Sequence, residues 1–440
     1  MTSILRKIRN VWLFPKWLYA QNSTMFFEKK IRFAKILARL YGANNELKQR
    51  ALHNNLGALY TKPHPFASFA YASFINQNPN HLGHWSDVRP QEATLNFEYE
   101  SVHAMIELYH GSHTNLTGYI TSGGTEGNIY MTWLGKAYLQ NTNQKDNFSM
   151  LITSLTHYSL HKAARICGIP YATVGLNKKT WAMDIDSYKK TVGRLYLAGT
   201  KKILVPMTLG YTATGTCDDI HEISRITTML QKEMRGLKIF LWIDAAMHGL
   251  VAPFTSDFRP FDKNIQGIIV DFHKFGQTPY PTGMILYRKN LKKLIERPID
   301  YLQEKDATLL GSRPGSSAVA IWSMIRFLGK NGYKMIVKKQ LLNKQFLIKQ
   351  IQTMLPDTQI ITHPNSLSCG LIFHSLKNGA LPKNIEEKYW LYARKFSIQF
   401  HATLPTKVKI YKCFFLPHVT KKVIEQFLAD LKKNIAPVSQ

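Results

Sequence analysis

At 440 residues, with 45% apolar and 19% charged positions and no low-complexity tract, the chain has the composition of a soluble globular protein with room for two cores. No apolar run reaches the ~20 residues that span a bilayer. The four cysteines, Cys167, Cys217, Cys369 and Cys413, include no CxxC pair, which argues against a disulfide framework or structural zinc and fits a reducing, cytoplasmic setting. The 57 basic against 28 acidic residues leave a charge of +29. Without a nucleic-acid motif beside it, that surplus reads as a lysine-rich solvated surface with no specific nucleic-acid partner.

In chain order, the first segment, "MTSILRKIRNVWLFPKWLYA", is basic and aromatic, and Arg6, Lys7, Arg9 and Lys16 interrupt any signal-peptide core. It reads as an amphipathic arm that packs on a partner or makes weak contact with a membrane surface. Apolar residues recur at three and four through "FFEKKIRFAKILARLYG", so residues 1–60 are helical in pattern. Residues 61–95, rich in Pro, His, Asn and aromatics, read as loop. From about residue 96 helix-like and strand-like segments alternate. "FEYESVHAMIELYHG" is helical, "TGYITSGG" is a strand entering a glycine turn, and "TEGNIYMTWLGKAYLQ" is helical again. "FSMLITS", "KKILVPMTLG", "LKIFLWIDAA", "IQGIIVDFHK" and "TGMILYRK" are strand-like, with helices "HYSLHKAARICG" and "DDIHEISRITTMLQKEM" among them. This alternation predicts an α/β domain with a mainly parallel sheet. A long helix opening at "GSRPGSSAVAIWSMIRFLGKNG" leads to a small C-terminal α+β domain. The expected boundaries are a helical arm and loop over 1–95, a large ligand-binding domain over 96–325 and the small domain over 326–440.

Four segments carry chemistry. In "TSGGTEGN" (121–128), Gly123 and Gly124 follow a strand and precede a helix, flanked by the hydroxyls of Thr121, Ser122 and Thr125. Backbone N–H groups there can converge on an anion at the positive helix end, although a glycine pair can equally be only a tight turn. "WIDAAMHG" (242–249) ends an apolar strand in Asp244, a carboxylate that is costly to bury unless a cation meets it. Ala245 and Ala246 leave room for a flat ligand; a helix cap or a paired structural acid is the alternative. "VDFHKFGQTPYPTG" (270–283) puts His273 and Lys274 after another apolar run, where a partly desolvated lysine can form an imine with an aldehyde. "THYSLHKAA" (156–164) offers His157 either as a stacking surface for a ring or as a cap on the helix it opens. A phosphate cradle, a buried acid and a lysine about 30 positions further on are the parts that hold pyridoxal 5′-phosphate. The phosphate would go to the glycine turn, the ring nitrogen to Asp244 and the aldehyde to Lys274.

On these motifs the chain resembles the group II pyridoxal-phosphate-dependent decarboxylases over about residues 80–330, most closely the histidine and serine decarboxylase branch. "TLGYTATGTCDDI" resembles that family's Gly-Thr-rich strand end, "HKFGQTPYPTGMIL" its lysine motif, and "DYLQEKDATLLGSRPG" a segment that reaches the neighbouring subunit's cofactor phosphate. The resemblance implies the fold of the PLP-dependent transferases (aspartate aminotransferase, fold type I), a homodimer with its active site at the interface, and a small-molecule amino-acid substrate. Carried over by position, Lys274, His157 and Asp244 form the catalytic set. Ala246 packs beneath the ring and Thr208 lies near its hydroxyl. Gly123, Gly124, Thr125, His273 and, across the interface, the partner subunit's Ser312 and the partner subunit's Arg313 surround the phosphate.

The activity this implies is decarboxylation of an L-amino acid, histidine or a similar one, to the amine and CO2. Pro314 and Ser316 in "GSRPGS" lean instead toward the sphingosine-phosphate lyases, which cleave a carbon–carbon bond in a phosphorylated amino alcohol, and Trp242, Ile243 and His248 also depart from the decarboxylase pattern. A third reading is a basic-surface binding protein that kept the fold and lost turnover. Tyr301 and Lys274 are the candidates for the proton donor to Cα. His81 and His84 in "NHLGHW" lack a Cys or acidic neighbour, so they read as a substrate-facing loop, and no metal is expected.

Overall fold

The computed structural model describes residues 33–50, 54–59, 62–77, 93–140, 147–262, 264–300 and 304–435. The basic arm over residues 1–20, His81, His84 and Tyr301 lie outside them. Two compact units are present, Met1–His53 and Asn54–Gln440. The first contributes helix α1 (Phe33–Arg50), whose Phe33, Ile36, Leu37, Leu40 and Tyr41 form an exposed apolar stripe at helical spacing.

The second unit runs α2 (Pro65–Ser73), α3 (Ala93–Leu108), β1 (Leu116–Thr121), α4 (Gly124–Leu139), β2 (Phe148–Thr153), α5 (Tyr158–Ile166), β3 (Tyr171–Val174), α6 (Ile185–Leu197), β4 (Lys202–Thr208), α7 (Ile220–Glu233), β5 (Lys238–Asp244), β6 (Ile265–Asp271) and β7 (Gly283–Arg288). The seven strands make one sheet in the order β1-β7-β6-β5-β4-β2-β3. Only β7 runs against its neighbours; the remaining pairings are parallel. In β4 and β5, "KILVPMT" and "KIFLWID", every residue after the first lysine is buried, as expected of parallel strands covered on both faces. Side chains such as Ile243, Ile268 and Leu241 are wholly enclosed, each worth about 1.5–3 kcal/mol of apolar transfer. Helices α6 and α7 start where Asp184 and Asp219 accept the backbone N–H groups of Ser187 and Glu222.

The chain continues through the short pair β8 (Arg297–Ile299) and β9 (Glu304–Asp306), then α8 (Gly315–Met354), which is interrupted at Gly329, φ 56°. It ends with β10 (Gln359–Ile361), β11 (Ser368–Ile372), α9 (Lys383–Tyr389), β12 (Ala393–Ile398), β13 (Thr406–Phe414) and α10 (Lys421–Asn434). These last strands form an antiparallel sheet in the order β10-β11-β13-β12. The stretch read as loop over 61–95 contains α2. Its prolines misled the reading: Pro65 occupies the first turn, where a missing N–H costs nothing, and His64 caps the helix by accepting from Phe66 N–H.

Antiparallel β7 brings its first residue, not its last, to the carboxyl edge of the large sheet. Gly283 therefore sits between Thr121 of β1 and Asp271 of β6. A Cβ at this position would lie 2.6 Å from Gly123 Cα.

Candidate active site

Parallel strands deliver their carboxyl ends to one edge, where open α/β sheets bind ligands. Here β1, β4, β5 and β6 end in Thr121, Thr208, Asp244 and Asp271. A cavity of ≈ 290 Å³ opens above them, and Gly123, Gly124, Thr125, His157, Thr208, Asp244, Ala246, His273 and Lys274 all line it. Residues separated by up to 151 positions in sequence, Gly123 to Lys274, thus meet in one place.

The glycine turn is shaped for an anion. Gly123 has φ 118°, in the region that favours glycine, and a Cβ on it would meet His273 Cε1 at 2.8 Å. Helix α4 starts at Gly124 with no side-chain cap, so its first-turn N–H groups face the cavity end without an intrahelical acceptor. Glu126 would repel an anion there, but its carboxylate is engaged elsewhere, accepting from Ser122 N–H at 2.6 Å and Tyr119 O–H at 3.1 Å.

Asp244 is 5% exposed, and among the described residues no cation pairs with it. Its Oδ2 accepts from Asn128 Nδ2 at 2.8 Å and its Oδ1 from Ala246 N–H at 3.2 Å. His157 caps α5, accepting from Ser159 N–H, and also lines the cavity. Burial pushes the His157 imidazole below its ordinary pKa, with Asp244 pulling it up and Lys274 pushing it further down.

The amine of Lys274 lies 2.8 Å from Asp271 Oδ2, with the Asp271 side chain 4% exposed. Burial would raise the Asp271 carboxyl; the Lys274 ammonium, His273 and the Gly124 N–H together hold it below the usual carboxylate range. His273 Nδ1 donates to the Thr282 carbonyl at 2.6 Å, and its ring packs against Tyr280. Sequence reasoning missed Asp271 and Asn128. An acid three positions before a strand-end lysine was the available signal for Asp271; Asn128 and Asp244 meet across 116 positions.

Ser312 and Arg313 do not line the cavity of their own chain. Ser312 is exposed, and Arg313 is buried within its own chain. Arg313 Nη1 and Nη2 donate to Glu98 Oε1 and Oε2 at 2.6 and 3.0 Å, and Nη1 also donates to the Ile120 carbonyl at 2.9 Å. A guanidinium held this way by a fully enclosed carboxylate ties α3 to the end of β1 within its own chain. Likewise Trp242, read as a departure on the substrate side, lies in the core and donates to Asn128.

The residues present fit pyridoxal 5′-phosphate. The Gly123 turn is a cradle that a Cβ would fill, the α4 amides suit a phosphate, the enclosed Asp244 lacks a cation among the described residues, and an amine stands within the same cavity. Fold and donor set together define a pyridoxal-phosphate enzyme of fold type I. The chain belongs to the family of the pyridoxal-dependent decarboxylase conserved domain, whose model matches residues 71–377. It is 29% identical over 397 residues to the L-aspartate/L-glutamate decarboxylase of Pyrococcus horikoshii, covering 87% of this chain and 92% of that one. Identity to the tryptophan decarboxylase of Clostridium sporogenes is 28% over 378 residues, covering 82% and 85%. Among solved structures, the L-methionine decarboxylase of Streptomyces sp. 590 superposes with a TM-score of 0.80 at 16% identity over 93% of this chain and 96% of that one. The sphingosine-1-phosphate lyase of Burkholderia pseudomallei gives 0.75 at 18% over 93% and 92%. At such identities the superpositions establish the fold alone. The protein is a pyridoxal-phosphate-dependent amino-acid carboxy-lyase; the expected histidine and serine branch gains no specific support from these relatives.

Proposed function

We propose that the substrate is an L-amino acid with an aromatic or imidazole side chain, histidine among them, and that the protein works as a homodimer. The observation that carries the substrate reading is the wall of the cavity outside the cofactor residues. Leu59, Leu155, Tyr211, Met247 and Tyr280 are apolar or aromatic, and no arginine lines the cavity among the described residues. A planar side chain gains apolar contact there, whereas a side-chain carboxylate meets no guanidinium fork. Exposed Phe66 and Phe69, one turn apart on α2, and Phe327 against Phe66 support a covering second copy.

Bound pyridoxal phosphate supplies an electron sink for the bond to the lost carboxylate. In this reading Asp244 holds a proton on the ring nitrogen, the Gly123–Thr125 turn anchors the phosphate, and His157 covers one ring face. Lys274 would be the amine that holds the cofactor's aldehyde, and Asp271, 2.8 Å away, would keep that side chain in place. Apolar walls exclude water from the reacting carbon. The carbon–carbon lyase reading, which leans on Pro314 and Ser316, remains the alternative that the phosphorylated amino alcohol in the test addresses.

The test is to incubate the loaded protein with histidine, tyrosine, tryptophan, aspartate and a phosphorylated amino alcohol, scoring CO2 and amine by mass spectrometry with Lys274→Ala as control. Borohydride reduction should label Lys274. Turnover of aspartate with none of the aromatic acids, or aldehyde from the amino alcohol, would overturn the substrate reading.

A further inference from the structure

Trp242, Asn128 and Ser159 join Asp244 to His157 without a break. Asn128 Nδ2 donates to Asp244 Oδ2 at 2.8 Å and to Ser159 Oγ at 2.9 Å, while its Oδ1 accepts from Trp242 Nε1 at 3.4 Å. All four side chains are buried. A carboxylate only accepts and an indole N–H only donates, so the amide has a single orientation between them. Its second N–H goes to Ser159 Oγ, which leaves the Ser159 hydroxyl hydrogen free to donate. The acceptor it meets is His157 Nδ1, at 2.8 Å. The Ser159 main-chain N–H points at the same nitrogen, at 3.4 Å. A ring nitrogen that accepts from two donors carries no proton.

We infer that Trp242, Asn128 and Ser159 are positioning residues that lock His157 as the neutral tautomer with its proton on Nε2, presenting one N–H donor to the cavity. Among the described residues Nε2 has no protein partner, so its complement is an oxygen acceptor on the bound ligand. The stacking face and the donor edge of His157 are thereby fixed together: rotation of the ring breaks the bond to Ser159. Burial, which disfavours the imidazolium, acts in the same direction. The inference rests on His157 walling the cavity and not on the identity of the amino acid.

Nitrogen NMR of cofactor-free protein labelled with 15N-histidine tests it. His157 Nδ1 should resonate as a bare imidazole nitrogen and Nε2 as a protonated one. Ser159→Ala should produce a mixture of both tautomers, and Ser159→Thr, which keeps the hydroxyl, should restore the single form. In the loaded enzyme Ser159→Ala should lower kcat about tenfold with little change in KM, the loss of one hydrogen bond at the site. A wild-type His157 protonated on Nδ1 would overturn the inference, and so would Ser159→Ala spectra with both resonances unmoved. Should Ser159→Ala not fold, the wild-type spectrum alone decides. These spectra are read without cofactor or substrate, so they stand apart from the substrate reading.

Discussion

Replacing Arg313 by alanine separates two roles for that residue. Glu98 is fully enclosed, and in the variant its carboxylate would keep the Ile120 N–H at 2.6 Å but lose both guanidinium contacts. Removing one partner of a buried pair costs about 3–5 kcal/mol. Against a typical total of about 5–15 kcal/mol, that is a large share. Removing both charges, as Glu98→Leu with Arg313→Met, should recover the part of the loss that comes from the unpaired buried carboxylate. The Ile120 N–H and carbonyl would then both lack partners, so about 1–3 kcal/mol should remain for each group that water cannot reach. Urea denaturation of the cofactor-free and loaded proteins measures all three. The expected order of midpoints is wild type, double variant, Arg313→Ala, with the same order in both forms. If Arg313→Ala instead kept the wild-type midpoint and lost cofactor on dialysis, the buried-pair argument would fail and the residue would belong at a ligand.

Asp271→Asn should lower the melting midpoint of cofactor-free protein more than that of the loaded form, because the 2.8 Å partner of the Lys274 ammonium is gone; paired thermal scans measure the gap. Gly123→Ala should weaken cofactor retention on equilibrium dialysis by tenfold or more, about 1.4 kcal/mol, since the new Cβ meets His273 at 2.8 Å and the backbone holds φ 118°. His248, faced by Cys217, His363 and Lys344, has its pKa pushed down to about 3 from 6.5, chiefly by burial. The unfolded chain takes up the proton first as pH falls below 6.5, so stability present at pH 7 is lost toward acid, by about 2 kcal/mol at pH 5. Asp218, raised to about 6 by burial, works in the opposite sense between pH 3.8 and 6. His248→Gln should raise the urea midpoint at pH 5 relative to that at pH 7, compared with wild type.

Local pattern revealed most of the large sheet. The apolar runs before Thr208, Asp244 and Asp271 are long enough to be read as buried strands, and the glycine pair and strand-end lysine were visible as chemistry. What escaped was set by tertiary contact. Helix α2 looked like loop because its prolines and aromatics make sense only against a cap and a partner surface. The edge strand β3 is four residues of half-exposed chain, too short to carry a period. Asp271 reads as one more strand residue until the turn after it returns Lys274 to its side. Arg313 shows how much distance can hide: its carboxylate partner lies 215 positions away, so local pattern in the glycine-rich segment gave no sign of the Glu98 pair.

The reversed strand β7 has a consequence for what this cavity can accept. The anion grip at the end of β1 and the amine after β6 stand on strands two spacings apart, roughly 9–10 Å across the sheet. In the strand between them, the residue level with Thr121 and Asp271 is Gly283. That residue works as a gauge block: any side chain on it would push the Gly123 turn off the sheet and part grip from amine. The absence of a side chain at position 283 is thus what lets the turn and the strand-end lysine share one edge of the sheet.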